Sequence, residues 1–381
     1  MQKPCRKGRV SLVEKDLFSV FHPLKNISKA ATVTPPLQPG NPTLYSGPKL
    51  RETSYCSGFW GRGAIGRAYT RLMRTHPANR ASRFIAVVLT VWLFACLCAL
   101  PGCGSSEEAS GASFTPATSI ATAEFHKSAA RGSNGAQIDT SAVANGYVAA
   151  AASSSSRLKF QVTCNGQSTN YDLPQNGTPI VCPLTYGNGS YTFRVMQNTS
   201  GNNYVELYST SAQVALASEF DPYLRPNVFC NYTEGSACVA KARELTANAT
   251  NQGEAVKAIC TYVVENISYD NDKAEKLKGA SGYVPDPDST LASGTGICFD
   301  YASLGAAMLR SQGIPAQIVT GYVSPDNIYH AWIMVHIDGT WKSAQFSVDP
   351  NTWSRVDLTF AAGNGNQNVG DGKSYTDRYT Y

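Results

Sequence analysis

Gly294-Thr295-Gly296-Ile297-Cys298 runs directly into Phe299-Asp300-Tyr301-Ala302-Ser303-Leu304-Gly305-Ala306-Ala307-Met308-Leu309-Arg310. The first part is a tight glycine-rich approach. The second carries apolar side chains at helical spacing. The pair predicts a helix with Cys298 in its first turn, where free N–H groups and the positive end of the helix dipole favour thiolate over thiol. Gly313-Ile314-Pro315 stops the helix. Ala316-Gln317-Ile318-Val319-Thr320-Gly321-Tyr322 follows as a β-branched strand, and His330-Ala331-Trp332-Ile333-Met334-Val335-His336-Ile337 as a second, with His330 at its start. Trp353-Ser354-Arg355-Val356-Asp357 supplies a third strand and a carboxylate. A Cys, an imidazole and an orienting carboxylate form the nucleophile–base–orienter set of acyl transfer.

Two of these roles have rivals in the sequence. His336 shares a strand face with His330, since residues two apart point the same way. Asp349-Pro350 competes with Asp357, but lies eight residues after Trp341, whereas Asp357 lies four after Trp353. We expect Asp357 to be the orienter, and residues 341–352 to hold an inserted hairpin with Asp349-Pro350-Asn351 at its turn, where such residues are favoured.

At these residues the chain resembles the transglutaminase-like superfamily, with its papain-like fold. The resemblance rests on Gly296-Ile297-Cys298-Phe299-Asp300-Tyr301-Ala302, on Gly313-Ile314-Pro315, on His330-Ala331-Trp332, and on Trp353 to Asp357. It is sharpest over 285–360 and looser over 145–381, where Asn266-Ile267-Ser268-Tyr269-Asp270 and the tail from Asp371 to Tyr379 are similar to secreted bacterial members. Asp357-Leu358-Thr359-Phe360 departs from the Asp-Pro-Thr-Phe of the family by Leu358. The resemblance implies a Cys298–His330–Asp357 triad, and a match of His330 to the His that precedes Ala-Trp.

The basic balance belongs to the front of the chain. Residues 1–102 hold 15 Lys and Arg against 3 Asp and Glu, +12, and residues 103–381 hold 17 against 24, −7. The acidic body argues against a nucleic-acid partner. Residues 84–100 are uncharged and apolar, with Arg74, Arg80 and Arg83 before them and Leu100-Pro101-Gly102-Cys103 after. That is the pattern of a secretory signal, and its ending resembles a bacterial lipobox with Cys103 as the lipid attachment site; an uncut membrane anchor is the rival. We expect residues 73–102 to be a lipoprotein signal peptide that opens at Met73. Residues 1–72 read as upstream sequence outside the folded protein.

Residues 103–144, rich in Ser, Ala, Gly and Thr, read as a tether. Residues 145–218 carry short alternating stretches, such as Arg157 to Cys164 and Ser190 to Val195, punctuated by Gly and Asn. They predict a small β-sandwich. Residues 219–381 would then be the transglutaminase-like domain, opened by helices at 239–249 and 254–266. The expected fold is α+β: a papain/transglutaminase-like core with a helix-start Cys packed on an antiparallel sheet, preceded by a small all-β sandwich.

Eleven cysteines and the inferred export fit an oxidising location. Cys164 with Cys182, and Cys230 with Cys238, are the expected disulfides. Cys260 reads as a buried thiol, and a 260–298 disulfide is the rival. The sequence offers neither a zinc ligand set nor an EF-hand loop, so no cofactor or metal is expected.

The functional expectation is a cell-surface thiol enzyme. Cys298 would form a thioester with a peptide or carboxamide carbonyl, most simply then hydrolysed, as in a peptidase or amidase. The backbone N–H of Cys298 would bind the oxyanion, with Tyr283 as the upstream second donor. The partners would be a peptide or protein substrate, cell-wall peptides among the candidates, and the membrane through the lipid on Cys103. The alternatives are a cross-linking transglutaminase and a non-catalytic surface binding module.

Overall fold

The structure is a computed structural model that describes residues 11–12, 108–324, 328–343, 346–364 and 375–381. The expectations for residues 1–72, for the signal peptide and for Cys103 lie outside the described residues, save for Ser11–Leu12, which bridges to Tyr204 and Asn203.

β1 (Glu108–Gly111) opens the described body, followed by β2 (Arg131–Ser133), β3 (Ala136–Asp139), β4 (Tyr147–Ala152), β5 (Leu158–Cys164), β6 (Gln167–Leu173), β7 (Ile180–Pro183), β8 (Gly189–Ser200) and β9 (Asn203–Val214). Two antiparallel sheets result, in the orders β9-β8-β5-β6 and β2-β3-β4-β7. Alternation drives the first. In β5 and β8 the inward residues are cross-strand partners, Phe160 with Val195 and Val162 with Phe193, and all four are buried. β4 is different: Tyr-Val-Ala-Ala-Ala-Ala is buried throughout, and its small side chains let it be covered on both faces. Ala136, Ile138, Val148 and Ala150 of the second sheet join Phe160 and Phe193 in one core.

The tether reading of residues 103–144 is corrected over residues 108–144. β3 belongs to the second sheet, so the β-rich region begins near residue 131 rather than 145. β1 pairs with Gly339–Lys342 in full register. The small residues that suggested flexibility serve close packing instead. A Cβ at Gly111 would lie 2.5 Å from the Asp338 carbonyl oxygen and 2.7 Å from Gly339 Cα.

Beyond the sandwich come α1 (Ala237–Thr246), α2 (Gln252–Asn266), β10 (Ser268–Tyr269), α3 (Asn271–Leu277), α4 (Pro287–Ser293), β11 (Thr295–Gly296) and α5 (Cys298–Ser311). Next are β12 (Ala316–Val323), β13 (Ile328–Val335), β14 (Gly339–Lys342), β15 (Ser347–Val348), β16 (Ser354–Val356), α6 (Leu358–Asn364) and β17 (Tyr375–Thr380). All fourteen residues of α5 are buried, which is the mark of a central helix. It packs on the antiparallel sheet β16-β13-β12-β17. Arg310, 1 % exposed, sits inside because its guanidinium donates to the carbonyls of Ala316 (2.8 Å), Arg225 (2.9 Å) and Tyr381 (2.9 Å). The fold is thus α+β, a helix-start Cys packed on an antiparallel sheet behind a β-rich region.

The expected disulfides are absent: Cys164, Cys182, Cys230, Cys238, Cys260 and Cys298 are all free and buried. Sequence proximity misled because neither pair is a hairpin. Cys164 ends β5 in one sheet and Cys182 lies in β7 of the other. Cys230 donates to the Ser303 carbonyl at 3.7 Å, and Cys238 sits in the first turn of α1, with its N–H on Asp288 Oδ1 at 2.8 Å. Burial pushes the Cys230 thiol up to about 11, against the lowering influence of Arg310. Such a group behaves as a small core hydrophobe.

Candidate active site

Cys298 is placed by the chain before it. Gly294 closes α4 in the left-handed conformation, φ 64°, as a C-cap glycine does. The chain then pairs in parallel with β10, Ser268 with Thr295 and Tyr269 with Gly296. At Gly296 a Cβ would lie 2.6 Å from Asp300 Cβ, so the residue two before the Cys has no room for a side chain. Asp300 occupies that room. Its Oδ2 accepts the Ile297 N–H (2.8 Å), which is the acidic half of a capping box. Its carboxylate also accepts Lys273 Nζ (2.7 Å) and the Tyr283 hydroxyl. Asp300 is fully buried, and these three donors compensate its charge. Lys273 also lies over the Tyr283 ring, 4.8 Å from its centroid.

His330, on β13, is 4 % exposed and Cys298 2 %. His330 Nε2 lies 2.8 Å from Asp357 Oδ2. The ring stacks on Phe360 at 4.5 Å and on Trp332 at 6.1 Å, which fixes its plane. Burial works against a charged imidazole, but the Asp357 carboxylate, the charge of Cys298, and hydrogen bonds to both raise His330 to about 10. The imidazole thus meets the Asp357 carboxylate through Nε2, and Asp357 and Cys298 both favour its charged form.

Asp357 follows the last paired residue of β16, where Val356 faces Ile333. It also stands immediately before α6 and acts as its N-terminal cap: Phe360 N–H donates to Oδ1 at 3.1 Å and Ala361 N–H to the Asp357 carbonyl at 3.2 Å. The Tyr375 hydroxyl of β17 donates to Oδ2 at 3.0 Å. One carboxylate thus orients the imidazole and starts a helix.

The rivals lie elsewhere. Asp349 is more than half exposed and pairs with Lys342 at 3.4 Å. The expected hairpin exists as β14–β15, with Trp341 opposite Val348 and Lys342 opposite Ser347. Asp349-Pro350-Asn351 forms the next turn, into β16, with Asn351 at φ 54°. His336 packs against Phe220 (4.7 Å) and Trp353 (5.4 Å). The Tyr283 phenol donates to Asp300. Tyr269 was not singled out by sequence reasoning, yet burial, then the charges of Cys298, Tyr301, Asp300 and Asp270, push its phenol upward. Tyr375, Asp300 and Lys273 were also missed. Only Asp300 carried a usable signal, an acid three residues into a helix.

Residues 239–358 match the Transglutaminase-like superfamily. That span is a transglutaminase-like domain. Among curated relatives it is 26% identical over 179 residues to the UPF0252 protein MJ1282 of Methanocaldococcus jannaschii, covering 45% of this chain and 44% of the relative. It is also 26% identical over 174 residues to the uncharacterized protein ML0607 of Mycobacterium leprae, covering 43% of this chain and 55% of the relative. The chain thus spans about half the length of the curated relatives it matches. A solved structure from Cytophaga hutchinsonii, proposed by name to be a cysteine protease, covers 61% of this chain and 80% of its own at 17% identity and a TM-score of 0.29.

Proposed function

We propose that this chain is a thiol enzyme of the transglutaminase-like type that acts on a peptide or carboxamide carbonyl and hydrolyses the resulting thioester. The observation that carries the reading is His330 held between Asp357 and Cys298 in a buried, aromatic-walled site. The Cys298 thiolate, paired with the imidazolium, attacks the carbonyl carbon. The carbonyl π electrons move to oxygen, and the oxyanion is received by the Cys298 N–H at the start of α5, with the Tyr269 hydroxyl as the side-chain donor. His330 gives its proton to the departing amine or ammonia as the C–N bond breaks. Water then attacks the thioester, His330 takes its proton, and the thiolate is restored.

The reading includes export and anchoring: a lipid on Cys103 would hold the body at the outer face of the membrane. The chemistry is tested by incubating the full chain with denatured protein and with cell-wall peptides, then measuring products and the mass of the Cys298 peptide. Cleavage or deamidation, with an acyl adduct on Cys298 that hydroxylamine removes, supports it. Products unchanged in Cys298→Ala would contradict it, and amine incorporation in place of hydrolysis would redirect it to cross-linking.

A further inference from the structure

A cavity of about 370 Å³ opens between the β-rich region and two later segments, one at Pro226–Asn231 and one at Val284–Asp286. Its volume is within the range of ligand pockets. Pro174 and Pro179 wall one side, with Pro226 and Pro285 opposite. Val284 stands at its edge, 44% exposed, and is the large exposed hydrophobic among the described residues. Prolines present apolar surface and no N–H, so the wall is rigid and offers few donors of its own.

One buried donor breaks that pattern. Asn227 lines the cavity and is 4% exposed. Its Oδ1 accepts the Phe229 N–H at 2.9 Å, which fixes the amide's orientation. Its Nδ2 has no hydrogen-bond partner among the described residues. A buried amide left in that state is costly, and a carbonyl oxygen is the group that relieves it. The charged groups lining the cavity are the carboxylates Asp172, paired with Lys159 at 3.1 Å, and Asp286; with no cation among its lining residues, the cavity disfavours an acidic occupant.

The cavity is continued by a smaller one whose lining touches residues next to Cys298 in the chain. A smaller void shares Asp172, Val228 and Val284 with it and continues to Phe229 and Tyr283. The Phe229 ring lies 5.3 Å from that of Phe299, and Tyr283 donates to Asp300. Those are the two residues that follow Cys298.

We propose that this cavity is a docking subsite for an uncharged, apolar peptide segment, with a side chain against the prolines and Val284 and a backbone carbonyl on Asn227 Nδ2. The subsite would hold the substrate beyond the scissile bond; that part rests on Cys298 being the nucleophile.

The test is fluorescence anisotropy on the full chain carrying Cys298→Ala, titrated with fluorescein-labelled Ala–Val–Ala–Val–Ala. Saturable binding is expected. Val284→Asp on the same background should weaken it about tenfold or more, because an apolar contact is lost and a third carboxylate is added. The unfolding midpoint should stay in place, since Val284 is exposed. Ala–Glu–Ala–Glu–Ala should bind at least about tenfold more weakly. Equal affinity in Val284→Asp, preference for the acidic peptide, or no saturation at millimolar peptide would overturn the proposal. Iodoacetamide labelling of Cys298 in the otherwise wild-type chain separates the two readings. Labelling intact with peptide binding lost removes the subsite alone. Peptide binding intact with no His330-dependent labelling removes the enzyme alone and makes the cavity a plain peptide-binding site.

Discussion

Among the described residues there are two His–Asp contacts, one in each region, and they differ in everything but the contact. In the β-rich region, His126 Nδ1 lies 3.1 Å from Asp139 Oδ2, with the His side chain 47% exposed. Asp139 is also saturated by the His126 N–H (2.7 Å), the Ser141 N–H (2.9 Å) and the Ser141 hydroxyl (2.6 Å). Those hydrogen bonds outweigh burial and hold its carboxyl below the usual range. That aspartate ties a turn to a strand. In the transglutaminase-like region, His330 is buried and plane-fixed by two aromatic rings, with Cys298 among its partners. A His–Asp pair is therefore no site by itself; burial of the imidazole and a thiol within its reach make the difference.

The largest effect that could break this comparison is expected at the second pair. His330→Ala should lower the rate of Cys298 alkylation by about 10²- to 10⁴-fold, the range of a positioned acid–base group. Asp357→Asn should lower it by about 10²-fold or more through loss of the imidazole's charge partner and fixed tautomer. Asn caps a helix as well as Asp does, so α6 should persist and circular dichroism should be unchanged. Melting of α6 in that variant would assign Asp357 a structural role only.

A pH series sharpens the same contrast. His330 is raised from about 6.5 in the unfolded chain to about 10 in the fold. A raised group contributes stability that is fully present below the unfolded value and is lost as pH climbs through the folded one. The stability of the wild-type chain relative to His330→Gln should thus decline between about pH 6.5 and pH 10, measured by denaturant unfolding. A flat difference across that window would remove the ion pair.

Asp139→Asn should act in the opposite register. It should cost about 1–3 kcal/mol of stability, as disrupted buried hydrogen bonds do, and leave alkylation of Cys298 unchanged. Because the Asp139 carboxyl is held low, its contribution should be present above the ordinary carboxylate value and be lost only as pH falls through the folded one. The smallest effect is expected at Asp349→Asn, an exposed ion pair, which should stay within about 0.5 kcal/mol and be silent in labelling.

The site was far more legible in the sequence than its surroundings. Glycines before a Cys at a helix start, and a His at a strand start, are local patterns with local causes; the Gly296–Asp300 contact is one of them. The spacing of Asp357 from Trp353 separated it from Asp349 because strand register carries a residue to a fixed place, here one step past the Val356–Ile333 pair. What stayed hidden depends on contacts between distant segments. Tyr375 reaches Asp357 from a separate strand, and Tyr269 nears Cys298 through a two-residue parallel pairing. The Ser-, Ala-, Gly- and Thr-rich stretch at 103–144 looked flexible in composition, yet β1 within it closes on β14. The cysteine pairs failed because chain proximity is no guide: Cys164 and Cys182 belong to opposite sheets, while Cys230 faces Ser303 and Cys238 opens α1.

The central claim is that Cys298 is a nucleophile made reactive by His330, and it is met most directly by the rate of iodoacetamide labelling at neutral pH. Mass spectrometry of the Cys298 peptide would read that rate in the full chain, in His330→Ala and in His126→Ala. The account expects rapid labelling of the wild type, a loss of about 10²-fold or more in His330→Ala, and an unchanged rate in His126→Ala. Equal rates in wild type and His330→Ala would contradict it.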